Sequence, residues 1–423
     1  MLSSSGSQID RRGFLRAAAL GAGTSWLTPV SRLLADQAER FRQPAQSIIL
    51  LWLGGGPSQL ETFDPHPDKT IAGGTKAIGT AARGIQLAEG FERLADQMRS
   101  VALVRSMVSK EGDHERGTYM MKTGYRPDPT VVHPSIGAIC CHELPAGHTD
   151  IPRHISILAG QWPSRGGFLG GEYDAFQIDD PKAPLPDVTQ PIKGPRDLAR
   201  VGDLEVVERT FGRGRRERIA ATMHREILAR ARTMMTSDQL KAFDVTNEPA
   251  AVRDEYGDSA FGRGCLAARR LVEVGVRCVE VTLDGWDSHV NNHETHRKRI
   301  KDLDPAFAAL VRDLIARDLY DRTVILCCGE FGRSPKINPL GGRDHWPMGF
   351  SLALAGGGIR GGEVVGATDP EGLKAPVRPI PVEDVHATIL KAVGLDPAKE
   401  NIAPITTRPI KLSAGKPIGE LLV

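Results

Sequence analysis

The chain has 423 residues, 40% of them apolar, enough to build a substantial core in one large domain or two smaller ones. Lys and Arg total 54 against 52 Asp and Glu, and the net charge of +2 gives no support to a strongly charged partner. No Lys/Arg-rich patch with interleaved aromatics occurs, so no nucleic-acid partner is expected.

The first segment reads as an address. Ser7 to Arg16 contains the pair Arg11-Arg12, followed by the weakly apolar Ala17 to Val30 and then by Leu33-Leu34-Ala35. A charged region, a short apolar region and a small-residue exit form the layout of a signal peptide, and the paired arginines resemble a twin-arginine export signal. The expected division is a signal over 1–35 and a single domain over 36–423 that is periplasmic or secreted. The apolar stretch is shorter than the ~20 residues that cross a bilayer, so no stable membrane span is expected after cleavage.

Ser47 to Leu53 is an unbroken apolar run closed by Gly54-Gly55-Gly56-Pro57-Ser58, the pattern of a central parallel strand covered on both faces. Val101 to Val104 and His154 to Ala159 are further strand candidates. From about 160 to 195 the chain is rich in Gly, Pro and Asp without periodicity, and reads as a surface excursion. Arg215 to Met235 has helical spacing, with its arginines on a solvated face. The rest alternates: a helix from Phe261 through Val274, strand Val276 to Leu283, helix Glu294 to Arg317, strand Thr323 to Cys328, short strand Phe350 to Leu354, and a final helix Val382 to Val393. Such alternation predicts right-handed crossovers and an α/β fold, a mainly parallel sheet sandwiched by helices. The six cysteines lack CxxC spacing, and Cys327-Cys328 read as small buried strand residues.

In sheets of this kind ligands bind beyond the carboxyl ends of the strands. Gly285-Trp286-Asp287-Ser288-His289 follows one such end, Glu330 the next and the glycine-rich turn the first, while Gly341-Gly342-Arg343-Asp344-His345-Trp346 supplies a second Asp-His pair. Carboxylate oxygens and imidazole nitrogens together hold a divalent metal and leave a position open for water or substrate. A single Asp-x-His more commonly caps backbone groups in a loop; two pairs after consecutive strands favour the metal. An Asp/His mixture suits zinc or manganese better than calcium. Asp344 either ligates directly or orients His345. His293 is a candidate to complete the metal shell, and His296 reads as a solvated helix start. Arg333 and Arg343 match the paired oxygens of a tetrahedral anion. Ser58 and Thr62 offer hydroxyls in a turn whose glycines allow close backbone approach.

Leu53 to Asp64, Gly285 to His289, Gly329-Glu330-Phe331-Gly332-Arg333-Ser334-Pro335 and Gly341 to Trp346, together with the leader, resemble the exported bacterial family "domain of unknown function fifteen-oh-one" over nearly the whole chain. That resemblance implies the alkaline-phosphatase/sulfatase superfamily, with an α/β core and hydrolysis or transfer of phosphate and sulfate esters at a metal site. Asp287, His289 and His345 match the superfamily's ligands to one metal. A second metal would need an Asp closing the first strand and an Asp-His pair later. Gly54 to Gly56 and Glu330-Phe331 stand there instead, so only Glu330 can still ligate, and one or two ions are allowed. Sulfatases place their modified Cys or Ser nine residues before a Thr-Gly, and Thr123-Gly124 puts His114 at that spacing without the Cys-x-Pro-x-Arg signature. His114 can serve as phosphoryl acceptor, metal ligand or general acid, or simply as a helix-cap histidine.

The expectation is an exported metal-dependent hydrolase acting on a small anionic ester or a sulfated or phosphorylated glycan, with His114 catalytic. The rival is a catalytically inactive superfamily member that binds a glycan or an envelope partner. The missing first-strand Asp supports the rival, and the retained Asp/His pairs oppose it.

Overall fold

The computed structural model describes residues 44–423 apart from 146, 186–187, 190–191, 193, 212–223 and 405. The expected export signal lies outside the described residues, as does the first part of the helix expected over 215–235; its remainder is helical over His224–Thr236.

One sheet organises the rest. Its strands are β1 (Ser47–Gly54), β2 (Val101–Val108), β3 (His154–Ile157), β4 (Phe176–Ile178), β5 (Cys278–Asp284), β6 (Thr323–Cys328), β7 (Phe350–Gly356) and the short β8 (Val364–Val365) and β9 (Ile380–Pro381). They lie in the order β8-β2-β7-β6-β1-β5-β3-β4, with β9 also paired to β2. Every pairing is parallel except those of β7, which runs against both β6 and β2. A parallel return needs a long crossover. The chain between β6 and β7 carries no helix, so β7 comes back antiparallel.

The unbroken apolar run of β1 has a simple cause. Alternate residues face opposite sides, and both sides are covered. Ile49, Leu51 and Leu53 enter one core with Phe261, Leu266, Phe307 and Leu310; Ile48, Leu50 and Trp52 enter the other with Met120, Ile136, Val385 and Ile389. The helices responsible are α1 (His114–Thr123), α2 (Ile136–Glu143) and α5 (Val382–Ala392) on one face, and α3 (Ala260–Glu273) and α4 (Asn292–Ala316) on the other. All six cysteines are buried and free. The excursion after β3 differs from the expectation, because Phe176–Ile178 joins the sheet as its edge strand. Three residues are too few to show a period. Among the described residues no helix is long and apolar enough to cross a membrane.

Two buried histidines lock helices in place. Gly124 closes α1 at φ 75°, where a side-chain carbon would come within 2.9 Å of the His386 ring, and His386 Nε2 donates to Met121 O at 2.9 Å. His296, expected to be solvated, is instead fully buried; its Nδ1 donates to Asn292 O and its Nε2 accepts the Ser58 N–H at 2.8 Å. Burial pushes both imidazoles down from 6.5 to about 4. The unfolded chain therefore binds more protons than the folded one as pH falls from 6.5 towards 4, so the stability from each neutral histidine is complete above that window and lost across it, on the order of 3 kcal/mol per histidine. Thermal melts should show a falling midpoint between pH 7 and pH 4.5, and His386→Gln should shrink that pH-dependent part while lowering stability at neutral pH.

Candidate metal centre

The parallel strands deliver their loops to one rim. β5 ends at Asp284, turns at Gly285 (φ 98°) and presents Asp287 and His289. β6 is followed by Glu330 and Phe331, and β2 leads to α1, whose first residue is His114 and whose N-cap is Asp113, accepting from Arg116 N at 3.0 Å. His345 arrives on a two-residue strand paired with Gly332–Arg333. The turn after β1 lies directly beneath these loops: a side-chain carbon on Gly55 would sit 2.4 Å from Asp287 N, and one on Gly56 would sit 2.7 Å from the Phe331 ring. Here glycine is required by the close approach.

Three imidazoles converge on one carboxylate. His289 Nε2 lies 3.3 Å and His345 Nε2 3.7 Å from Asp287 Oδ1, while His114 Nε2 lies 3.4 Å from Oδ2. Each ring is fixed at its other nitrogen by an acceptor: His345 Nδ1 by Gly112 O at 2.8 Å, His289 Nδ1 by Asp344 Oδ1 at 3.1 Å, and His114 Nδ1 by Glu330 Oε1 at 2.6 Å. Glu330 Oε1 also receives the Gly55 N–H at 3.0 Å. An acceptor at Nδ1 requires the proton there, which leaves Nε2 as the donor atom towards a metal, the arrangement that orients histidine ligands. Burial lowers the proton affinity of His345, and its Nε2 faces His289 Nε2 at 3.0 Å. Two such nitrogens in contact call for a cation or a shared proton between or beside them. His114, Asp287 and His345 form a group whose donor atoms all lie within 4.8 Å of one another.

A family model described as "Protein of unknown function (DUF1501)" matches residues 45–422. The chain belongs to the DUF1501 family. No curated protein matches its sequence significantly. Among solved structures it is similar to the PsFucS1 sulfatase from Pseudoalteromonas sp., at 15% identity and a TM-score of 0.39 over 86% of this chain and 70% of that one. It is similar to the alkaline phosphatase of the Antarctic bacterium TAB5, at 12% identity and 0.37 over 83% and 99%. It is also similar to the lipoteichoic acid synthase LtaP of Listeria monocytogenes, at 9% and 0.38 over 84% and 73%.

Other residues singled out in this DUF1501 sequence fall at varied distances from the centre. Asp344 orients His289 and not His345, and hydrogen bonding from His289 holds its carboxyl below the usual range. His293 sits apart from the three convergent rings, with Nε2 3.3 Å from Ala72 O and 3.4 Å from Glu61 Oε1. Ser58 and Thr62 are buried, and the Thr62 hydroxyl donates to Ser58 O at 2.7 Å, which leaves neither on the open rim. Arg343 is also buried, Nη1 donating to Ser334 O and Pro335 O and Nη2 to Ile71 O and Glu61 Oε1, with Nε enclosed and unpartnered. A guanidinium so committed has no free fork for an anion.

Arg333 has the same fate with a larger consequence. It is wholly buried and donates to Gly56 O at 2.8 Å, to Gly55 O, to Arg343 O at 3.1 Å and to Asp287 Oδ1 at 2.6 Å. Burial alone would push the Asp287 carboxyl up, but the Arg333 hydrogen bond and charge hold it below its usual value. Gln59, not singled out in the sequence, clasps the Arg333 backbone through both ends of its carboxamide, at 3.0 and 2.9 Å. Its only signal was its place in the first motif. Arg333→Met should strip a buried donor from three carbonyls and a carboxylate and cost about 3–5 kcal/mol. Chemical denaturation should show that loss, with Arg333→Lys restoring little of it because a point charge cannot reproduce the fork.

Proposed function

We propose that this protein is an exported metal-dependent hydrolase of phosphate or sulfate esters, with one divalent ion, zinc or manganese, held by Asp287, His289 and His345. The observation that supports this most is the set of imidazoles anchored at Nδ1 and aimed through Nε2 at one half-exposed carboxylate. A loop that merely capped backbone groups would have no reason to fix three rings in the same sense. A divalent ion there supplies Lewis acidity to an ester oxygen and lowers the pKa of water.

The chain's own groups divide the remaining work. Asp344 and the Gly112 carbonyl keep the His289 and His345 rings in place, and Arg333 keeps Asp287 ionised and aimed. His114 is assigned as the general acid. Hydrogen bonding to Glu330 raises its proton affinity, so unlike the other two rings it takes a second proton, at Nε2, beside the one Glu330 holds at Nδ1; that buried Nε2 has no hydrogen-bond partner and can pass its proton to a leaving oxygen. Glu330 is then a positioning residue whose second oxygen stays free. The substrate class is a small anionic ester or a sulfated or phosphorylated glycan, and residues 1–35 with Arg11-Arg12 form the export signal.

Metal analysis and an ester panel test this reading together. His289→Ala and His345→Ala should lose bound metal and activity, while His114→Ala should keep metal and lose hydrolysis by a factor of about 10²–10⁴. Metal loss in His114→Ala would reassign it as a ligand, which its place among the three clustered donors allows. Metal bound without hydrolysis of any phosphate or sulfate ester would favour the inactive, glycan- or envelope-binding reading.

Export is tested separately. Changing Arg11 and Arg12 to Lys should retain the folded precursor in the cytoplasm, as read by cell fractionation, and normal export of that variant would refute the signal.

A further inference from the structure

A second built feature adjoins the centre. A pocket of about 280 Å³ lies between α1 and the start of the excursion at 161–165, close to the ~300 Å³ lower bound of small-molecule sites. Both of its walls are tied to the metal centre. His114, Thr118 and Lys122 are spaced by four on α1 and share one helix face, so the helix that brings His114 to the rim carries Thr118 and Lys122 along the pocket. On the other side, a side-chain carbon on Gly160 would lie 3.6 Å from the carboxylate of Asp284, the last residue of β5 before the Asp287 loop.

The pocket floor is a satisfied buried ion pair. Lys122 Nζ donates to Glu280 Oε1 at 2.9 Å and to Trp162 O at 2.7 Å, and Glu280 accepts from Ser164 Oγ at 2.6 Å and Ser156 Oγ at 3.1 Å. Glu280 is wholly buried in the middle of β5, and breaking such a pair is costly. The pair therefore acts as a clamp that holds the 162–164 segment against the sheet. It leaves the pocket lined by neutral hydroxyls and aromatic rings, with charge of both signs at the mouth.

We propose that this pocket receives the pyranose ring that carries the phosphate or sulfate group, an inference that rests on the hydrolase reading and names its substrate as a sugar ester. The rings of Trp162 and Tyr119 offer apolar faces; the Tyr119 hydroxyl is already paired with His133 at 3.0 and 2.7 Å, so its ring is the available part. Thr118 lines the pocket beside them, and Glu115, Gln161 and Arg165 are exposed at its edge. An alkyl chain would leave these polar groups unpaired. A sugar ring presents a C–H face to an aromatic wall and hydroxyls that both donate and accept, which suits a lining of this mixed kind.

Ligand-observed NMR on the full chain tests the pocket without relying on turnover. The probes are glucose, galactose, mannose, N-acetylglucosamine and their 6-sulfates, with chelator-treated protein for the neutral sugars. At least one neutral sugar should bind, and Trp162→Ala should weaken it roughly tenfold while Trp162→Phe retains it. The Lys122 bond is to the Trp162 carbonyl, so this substitution leaves the clamp intact. Binding of no sugar, or binding indifferent to Trp162→Ala and Thr118→Val, would overturn the pocket assignment even if small esters are hydrolysed. Sugar binding that Trp162→Ala removes, in a protein that hydrolyses no ester, would sink the hydrolase reading and leave the pocket standing.

Discussion

The buried guanidinium of Arg333 is the joint on which the rim depends. A cation with no exposed surface must have its donors met, and here the acceptors come from the turn after β1, from the late loop at Arg343 and from Asp287. Satisfying one side chain thus brings three distant segments to one place. The glycines at 55 and 56 follow from the same constraint, since the carbonyls that reach Arg333 belong to a turn pressed against Asp287 and Phe331 with no room for side chains. The turn whose glycines read in sequence as room for close backbone approach is a packed support.

A second buried charge organises the other half of the site. Glu280 interrupts an apolar strand with a carboxylate, and Lys122 from α1 answers it across the sheet face. The pair ties the His114 helix to the central strands and draws in the excursion through Trp162 O and Ser164. Buried pairs of this kind add little net stability over apolar packing, but they penalise any arrangement that separates the partners. Their effect here is positional.

The chemistry of the centre then rests on which nitrogen of each histidine carries its proton. Gly112 O, Asp344 and Glu330 decide this for His345, His289 and His114. None of the three acceptors occupies a corresponding place in the sequence: one is a backbone carbonyl, one a carboxylate 55 residues from the ring it holds and one the second residue beyond a different strand. Their common function appears only when the rings are seen side by side. The aromatic contact of Phe331 with His345, ring centroids 4.5 Å apart, adds an apolar wall behind the rings.

The α/β class, the central strand over 47–53 and the helices at 261–274, 294–317 and 382–393 were legible from the sequence, which also singled out Asp287, His289 and His345 as candidate ligands. Strand β1 declares itself because burial on both faces demands an unbroken apolar run, and the Asp287–His289 loop stands out because it follows a strand end, where a parallel sheet leaves backbone and space exposed. Partnership was not legible. Arg333 and Arg343 read as anion clamps, but folding surrounded them with carbonyls; His296 read as solvated, but α4 buried it under Ser58; β4 was too short to show a period, and the direction of β7 depends on a connection with no helix. Sequence records which side chains have the chemistry to act, since pattern and composition are local properties. Only the tertiary structure decides which of those groups are consumed by their neighbours, because hydrogen-bond partners and burial are set by contacts between residues hundreds of positions apart.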